Sequence, residues 1–172
     1  MLIRVLNLST LIASICLFLA FANAQNEKQT KRSALSRLNK CAIEFSGKNC
    51  NENDAQFLID LYFRGEKDLL KPLLNAGLKS DGALTEILGT FYADILNTET
   101  KSFLFALSEK TKVEQIEISK RTVWADGSGN SIEWEARIKK KLTTIIRSND
   151  KKLSPVAKVV AEQLEEFKKK KN

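Results

Sequence analysis

The stretch FLIDLYFRGEKDLLKPLL, Phe57 to Leu74, returns thirty-four positions later as FYADILNTETKSFLFALS, Phe91 to Ser108. Superposing the two matches Phe57 with Phe91, Asp60 with Asp94, Lys67 with Lys101, Leu70 with Leu104 and Leu73 with Leu107, and sets Leu61 opposite Ile95. The apolar positions have helical spacing. Leu84, Ile87, Leu88, Phe91, Tyr92, Ile95 and Leu96 step by three and one in alternation, the stripe of a helix with one buried face, which no strand could use. Shorter stripes follow each long one: Leu69, Leu70, Leu73 and Leu74, then Phe103, Leu104 and Leu107. Each copy therefore reads as a helix pair, joined by Arg64-Gly65-Glu66 in the first and Asn97-Thr98-Glu99 in the second, with the Thr98 hydroxyl as a cap for the next helix.

A helical hairpin of this period belongs to solenoid-type repeats. The run Leu88-Gly89, Tyr92 and Phe105 resembles part of the tetratricopeptide pattern, in which a small residue lets paired helices approach closely. The looser HEAT-type hairpin fits comparably. The chain departs from the former pattern at Lys101, at Thr85 and at Asp54-Ala55, and either resemblance covers only Ala55 to about Ser108. What it implies is an all-α, short stack of antiparallel helical hairpins that binds another protein or peptide along a groove. Fold-level analogy of this kind carries architecture further than activity. On the repeat the groove would use Asp60 and Asp94, placed equivalently, with Tyr62 and Tyr92 beside them. The plainer reading of the two aspartates is caps, or salt bridges to Lys67 and Lys101.

Outward from the repeat, Met1 to Ala24 has one charge at Arg4, an apolar run from Leu11 to Phe21 and the small-residue ending Ala22-Asn23-Ala24. That is the pattern of a secretory signal cleaved after Ala24, and the run is shorter than the roughly 20 apolar residues of a bilayer span. Secretion or a periplasmic location follows. Cys16 leaves with the signal, so Cys41 and Cys50 remain, and a pair of cysteines in an exported chain reads as a disulfide clamping the first hairpin. Domain organisation follows as 1–24 signal, 25–32 disordered and 33–172 a single helical domain, enough chain for a real core.

Leu35, Leu38, Ala42 and Phe45 form the first stripe, and Asn53 with Gln56 has capping-box spacing. Pro72 either kinks its helix or lies in the first turn. Thr111 with Glu114 has the same capping-box spacing and decides Thr111 to Ala125 as helix, although Ile116 and Ile118 alternate like a strand. After the polar turn Asp126 to Asn130, Trp134, Ile138, Leu142, Ile145 and Ile146 run at helical spacing. The last helix reads Ser154 as cap, Pro155 at its first position, and Val156, Val159, Val160, Leu164 and Phe167 on one face.

The net charge of +7 at pH 7 is a mild basic bias concentrated late in the chain. Lys139, Lys140 and Lys141 with Lys168, Lys169, Lys170 and Lys171 form a candidate basic surface for an anionic envelope polymer or membrane, where each exposed lysine contributes about 1 kcal/mol. Nucleic acid is disfavoured for an exported chain. Histidine is absent, removing the usual proton shuttle and most zinc centres. Neither a phosphate loop, a nucleophile elbow nor a zinc-protease motif occurs. Asp126, Ser128 and Asn130 alternate as calcium ligands would, but Ser131 stands where an EF-hand wants glycine and Arg137 where it wants glutamate. The expectation is a binding module without catalytic activity, cofactor or metal.

Overall fold

The computed structural model describes residues 30–40, 52–80, 82–125 and 132–171, all helix and connecting turn. Helix α1 spans 30–40. It is followed by α2 Glu52–Phe63, a 3-10 turn Lys67–Leu69, α3 Leu70–Lys79, α4 Gly82–Thr98, α5 Thr100–Leu107, α6 Lys112–Trp124, α7 Ile132–Arg147 and α8 Leu153–Lys171. No strand occurs among the described residues, so the chain is all-α. Met1 to Ala24, expected as a signal, Cys41, Cys50 and Asp126 to Asn130, expected as a turn, lie outside the described residues.

Helix α4 is the axis of the bundle because its buried face is broad, leaving a flank with Glu86 and Asp94 exposed. Leu84, Leu88, Phe91, Tyr92, Ala93, Ile95 and Leu96 are all buried. So wide an apolar face needs several neighbours to cover it, and α4 packs on α2, α3, α5, α6 and α7. The repeat-equivalent helices also meet, α2 on α4 and α3 on α5, while α8 lies across α5, α6 and α7. Leu61, Ile95, Leu70, Leu104, Leu73 and Leu107 are all core, whereas Phe57 is only half-buried and Phe91 fully buried. No described helix is long and apolar enough to cross a membrane.

Gly89 does permit a close approach, but of α6 and not of its own hairpin partner. A Cβ there would sit 2.8 Å from the Arg121 carbonyl oxygen and 3.1 Å from the Ala125 Cβ. On the α6 side the buried face is Ile118, Ser119, Thr122 and Val123, whereas Val113 at the start of the helix is 76% exposed. Its hydroxyls bond back into the helix, Ser119 to the Gln115 carbonyl at 2.6 Å and Thr122 to the Ile118 carbonyl at 2.7 Å, so burial leaves neither unsatisfied.

Several caps differ from expectation for local reasons. Thr111 and Glu114 form the reciprocal capping box as predicted. Thr98 does not cap α5: its hydroxyl donates to the Asp94 carbonyl one turn back, at 2.7 Å. Ser154 lies inside α8 and bonds the Ile146 carbonyl, while Asp150 takes the capping role by accepting from the Lys152 and Leu153 amides at 2.8 and 2.9 Å. Asn53 is within α2, and Gln56 bonds Asp60. Pro72 falls in the first turn of α3, where its missing N–H costs nothing. Helix α1 starts earlier than Ser33, and Lys31 is tied to Glu66 at 2.5 Å and Asp68 at 3.1 Å. Burial lowers the Lys31 pKa, but those two carboxylates more than compensate and raise it.

Candidate functional site

Tyr62 and Tyr92 belong to the core, with Tyr62 at the edge of a cleft that also holds Lys67, Glu99 and Phe105. Both are fully buried, Tyr92 donating to the Leu73 carbonyl at 2.7 Å and Tyr62 to Glu99 at 2.9 Å. Burial pushes both phenols well above their ordinary range, with the Glu99 carboxylate adding to the effect at Tyr62. Asp60 and Asp94 are exposed, but neither pairs with the lysine seven positions on. Asp60 accepts from Gln56 at 3.0 Å, and Lys67 bonds Glu99 at 2.6 Å instead. Partial burial raises the Asp94 carboxyl. The expected four-residue groove is thus two core tyrosines beneath two surface aspartates. Aromatic residues on an amphipathic stripe are ambiguous from spacing alone, since a phenol fits the core whenever its hydroxyl finds an acceptor.

The lysines divide by location. Lys139 pairs with Glu165 at 2.5 Å and Lys168 with Glu135 at 3.2 Å, closing the seam between α7 and α8. Lys170 lies 4.7 Å above the Trp124 ring, which packs on Phe167. Lys169 is exposed, and the Lys171 side chain lies outside the described set. Lys140 and Lys141 point elsewhere, into a cleft between the start of α5 and the middle of α7.

That cleft has a volume of about 640 Å³ and is lined by Thr98 to Ser102 on one side and by Arg137, Lys140, Lys141, Thr144 and Ile145 on the other. Its composition follows from helix periodicity. Helix α7 commits Trp134, Ile138, Leu142 and Ile145 to the core, so 137, 140, 141 and 144 recur on one flank at three- and four-residue steps. Helix α5 commits Thr100, Phe103, Leu104, Ala106 and Leu107, which turns Lys101, Ser102 and Phe105 outward. Lys141 donates to the Asn97 carbonyl and ties α7 to the end of α4.

Lys101, Arg137 and Lys140 have no hydrogen-bonded or ion-pair partner for their side chains among the described residues. The one carboxylate in the cleft, Glu99, is engaged by Lys67 and Tyr62, and the Lys67 hydrogen bond is the main reason its pKa is held below the ordinary range despite burial. The cleft therefore presents cations bonded to no carboxylate among the described residues, with Asp150 near Lys101 only at longer range, beside hydroxyls from Thr98, Ser102 and Thr144. It holds no nucleophile–base pair, and no group of three metal-ligating side chains occurs among the described residues. Such an arrangement can bind an anion.

A second cleft of about 590 Å³ lies on the other side of α5 and shares Glu99, Lys101 and Ser102 with the first. Neither cleft was legible as a site in the sequence. Lys101 was visible as a repeat position and Lys140 and Lys141 as part of a cluster, but their convergence needs α5 and α7 to be placed in space. No protein family, curated protein or solved structure matches the chain.

Proposed function

We propose that this chain is an exported helical interaction module that takes up an acidic segment of a partner protein in the cleft between α5 and α7. The observation that carries the reading is that Lys101, Arg137 and Lys140 converge on one concavity with no carboxylate bonded to any of them among the described residues, Asp150 acting on Lys101 only at longer range, while neighbouring Lys67 and Lys139 are held by carboxylates. A cation left unpaired in a cleft gains little for folding, and is well placed to steer and hold an anionic ligand. The lysine-rich end of α8 is the weaker candidate for this role, because Lys168 and Lys170 are engaged within the bundle.

The reading includes a finer architecture: α2 with α3, and α4 with α5, form successive stacked hairpins, supported by the packing of equivalent helices on each other. It also includes export behind Met1 to Ala24 and a Cys41–Cys50 bridge, both of which rest on sequence. In the chain-entropy picture so short a loop contributes roughly 2 to 3 kcal/mol.

The test uses oxidised Gln25 to Asn172 and fluorescein-labelled hexaglutamate, with anisotropy followed as salt rises. Binding at low salt that weakens steeply with ionic strength is expected. The double variant Lys101→Gln/Arg137→Gln should weaken it at least about tenfold, and Lys168→Gln/Lys169→Gln/Lys170→Gln should leave it nearly unchanged. The opposite dependence would transfer the function to the C-terminal basic surface. No binding by the wild type at low salt would sink the reading.

A further inference from the structure

Resting on the reading just given, we propose that the acidic segment is also amphipathic, and that it crosses α5 to seat a bulky apolar side chain against Phe105 in the second cleft. Phe105 is 47% exposed, and with Leu70, Ala106 and Leu153 it supplies an apolar wall to that cleft. Other exposed aromatics are differently placed: Phe63 packs edge-on against Tyr62 and Phe91, and Trp124, as exposed as Phe105, lies on α6 against Phe167 and Lys170, away from both clefts of α5. Trp124 borders a separate cleft beside Arg121, which Glu117 engages, whereas Phe105, among the described residues, stands in the concavity that shares Lys101 with the first cleft. An aromatic anchor point beside a charged rim is the usual anatomy of a binding hot spot.

Charge complementarity selects the occupant. The carboxylates lining the second cleft are already occupied, Asp68 by Lys31 and Glu99 by Lys67. Lys152 stacks 3.5 Å over the Phe105 ring and keeps its charge available to a ligand carboxylate lying on the same ring. Lys101 and Lys152 have Asp150, and Lys152 also Glu109, only at longer range and bond no carboxylate among the described residues, so a ligand carboxylate gains both charges and the chemistry favours an acidic segment. Helical geometry then sets the spacing. Lys101 and Phe105 are four residues apart on α5, about 6 Å along its axis. In an extended chain alternate side chains on one face are about 6.7 Å apart, so the fit is a carboxylate residue, any residue, then a large apolar residue.

The probes are fluorescein-labelled Asp-Glu-Gly-Phe-Gly-Glu-Asp and its equal-charge counterpart with alanine for phenylalanine, titrated against oxidised Gln25 to Asn172 at low and moderate salt. The phenylalanine peptide should bind at least about fivefold more tightly, a difference that persists as salt rises because the apolar contact is unscreened. Phe105→Ala, checked for an unchanged circular dichroism spectrum, should remove that difference while leaving the alanine peptide's affinity intact. Equal affinities for the two peptides on the wild type overturn the inference and leave the acidic-segment reading standing. Failure of both to bind overturns both. Phe105-dependent binding to phosphatidylglycerol vesicles, with neither peptide bound, would make the occupant a membrane and refute a peptide.

Discussion

The contact between Gly77 and Tyr92 offers the sharpest test of how α3 is held on α4. A Cβ built on Gly77 would lie 1.9 Å from the Tyr92 hydroxyl oxygen and 2.9 Å from the Cζ carbon behind it. The ring has nowhere easy to go, since it is fully buried between Phe91 and Phe103, with centroids at 5.8 and 6.4 Å. In Gly77→Ala the tip of the ring must move roughly 1.5 Å to reach ordinary contact, which breaks the 2.7 Å bond to the Leu73 carbonyl. Overpacking costs about 1–3 kcal/mol, and a buried hydroxyl left without its acceptor costs about 1–3 kcal/mol more. Alanine returns up to about 1 kcal/mol of helix propensity. The net expectation is a loss of about 3 kcal/mol. Tyr92→Phe alone should cost about 1 kcal/mol. Combining the two removes the closest clash, so the double variant should be more stable than the sum of the singles predicts, by at least about 1 kcal/mol. Urea unfolding followed by circular dichroism at 222 nm measures all four proteins of the cycle. A Gly77→Ala protein within about 0.5 kcal/mol of wild type, or strictly additive effects, would refute the packing argument.

Thr111→Ala removes the reciprocal cap of α6 and should lower stability by about 1 kcal/mol, measured in the same urea assay, with Thr111→Ser largely retaining it. The Glu99 carboxylate, held below its ordinary pKa by Lys67 and Tyr62, contributes stability that is complete above the unfolded carboxylate range and is lost as pH falls through its lower folded value. Glu99→Gln should therefore cost about 1 kcal/mol at pH 7 and flatten the fall in stability below pH 4.5, the ordinary value of a free glutamate. Asp94, whose carboxyl burial raises, works in the opposite sense and offsets part of the acid loss in the parent protein. An acid limb with the same slope in Glu99→Gln would show that the Lys67–Glu99–Tyr62 cluster contributes nothing to folding.

Arg121 shows how far local reading reached. Its guanidinium donates to the Gly77 and Ser80 carbonyls and to the Ser80 hydroxyl, so it closes the C-terminal end of α3 from a helix more than forty residues away. Asp54 is similar. It stands where a small or apolar residue was expected, and its burial is made tolerable by a two-pronged bond from Arg37 at 2.6 and 2.7 Å. No spacing rule announces either pairing, because each depends on which faces of distant helices meet.

What the sequence by itself determined was the all-α character, the boundaries of the long helices to within a few residues and most of the core. Those properties depend on side chains three and four positions apart and on short-range caps such as Thr111 with Glu114. Only the tertiary structure decided that Tyr62 and Tyr92 turn inward, that Gly89 admits α6, that Asp150 and not Ser154 caps the last helix, and that Lys101 meets Arg137 and Lys140. Amphipathic periodicity says which side of a helix is buried, but not which neighbour buries it. The cleft is a property of two flanks, on α5 and α7, that become a surface only after α4 has gathered both helices around itself.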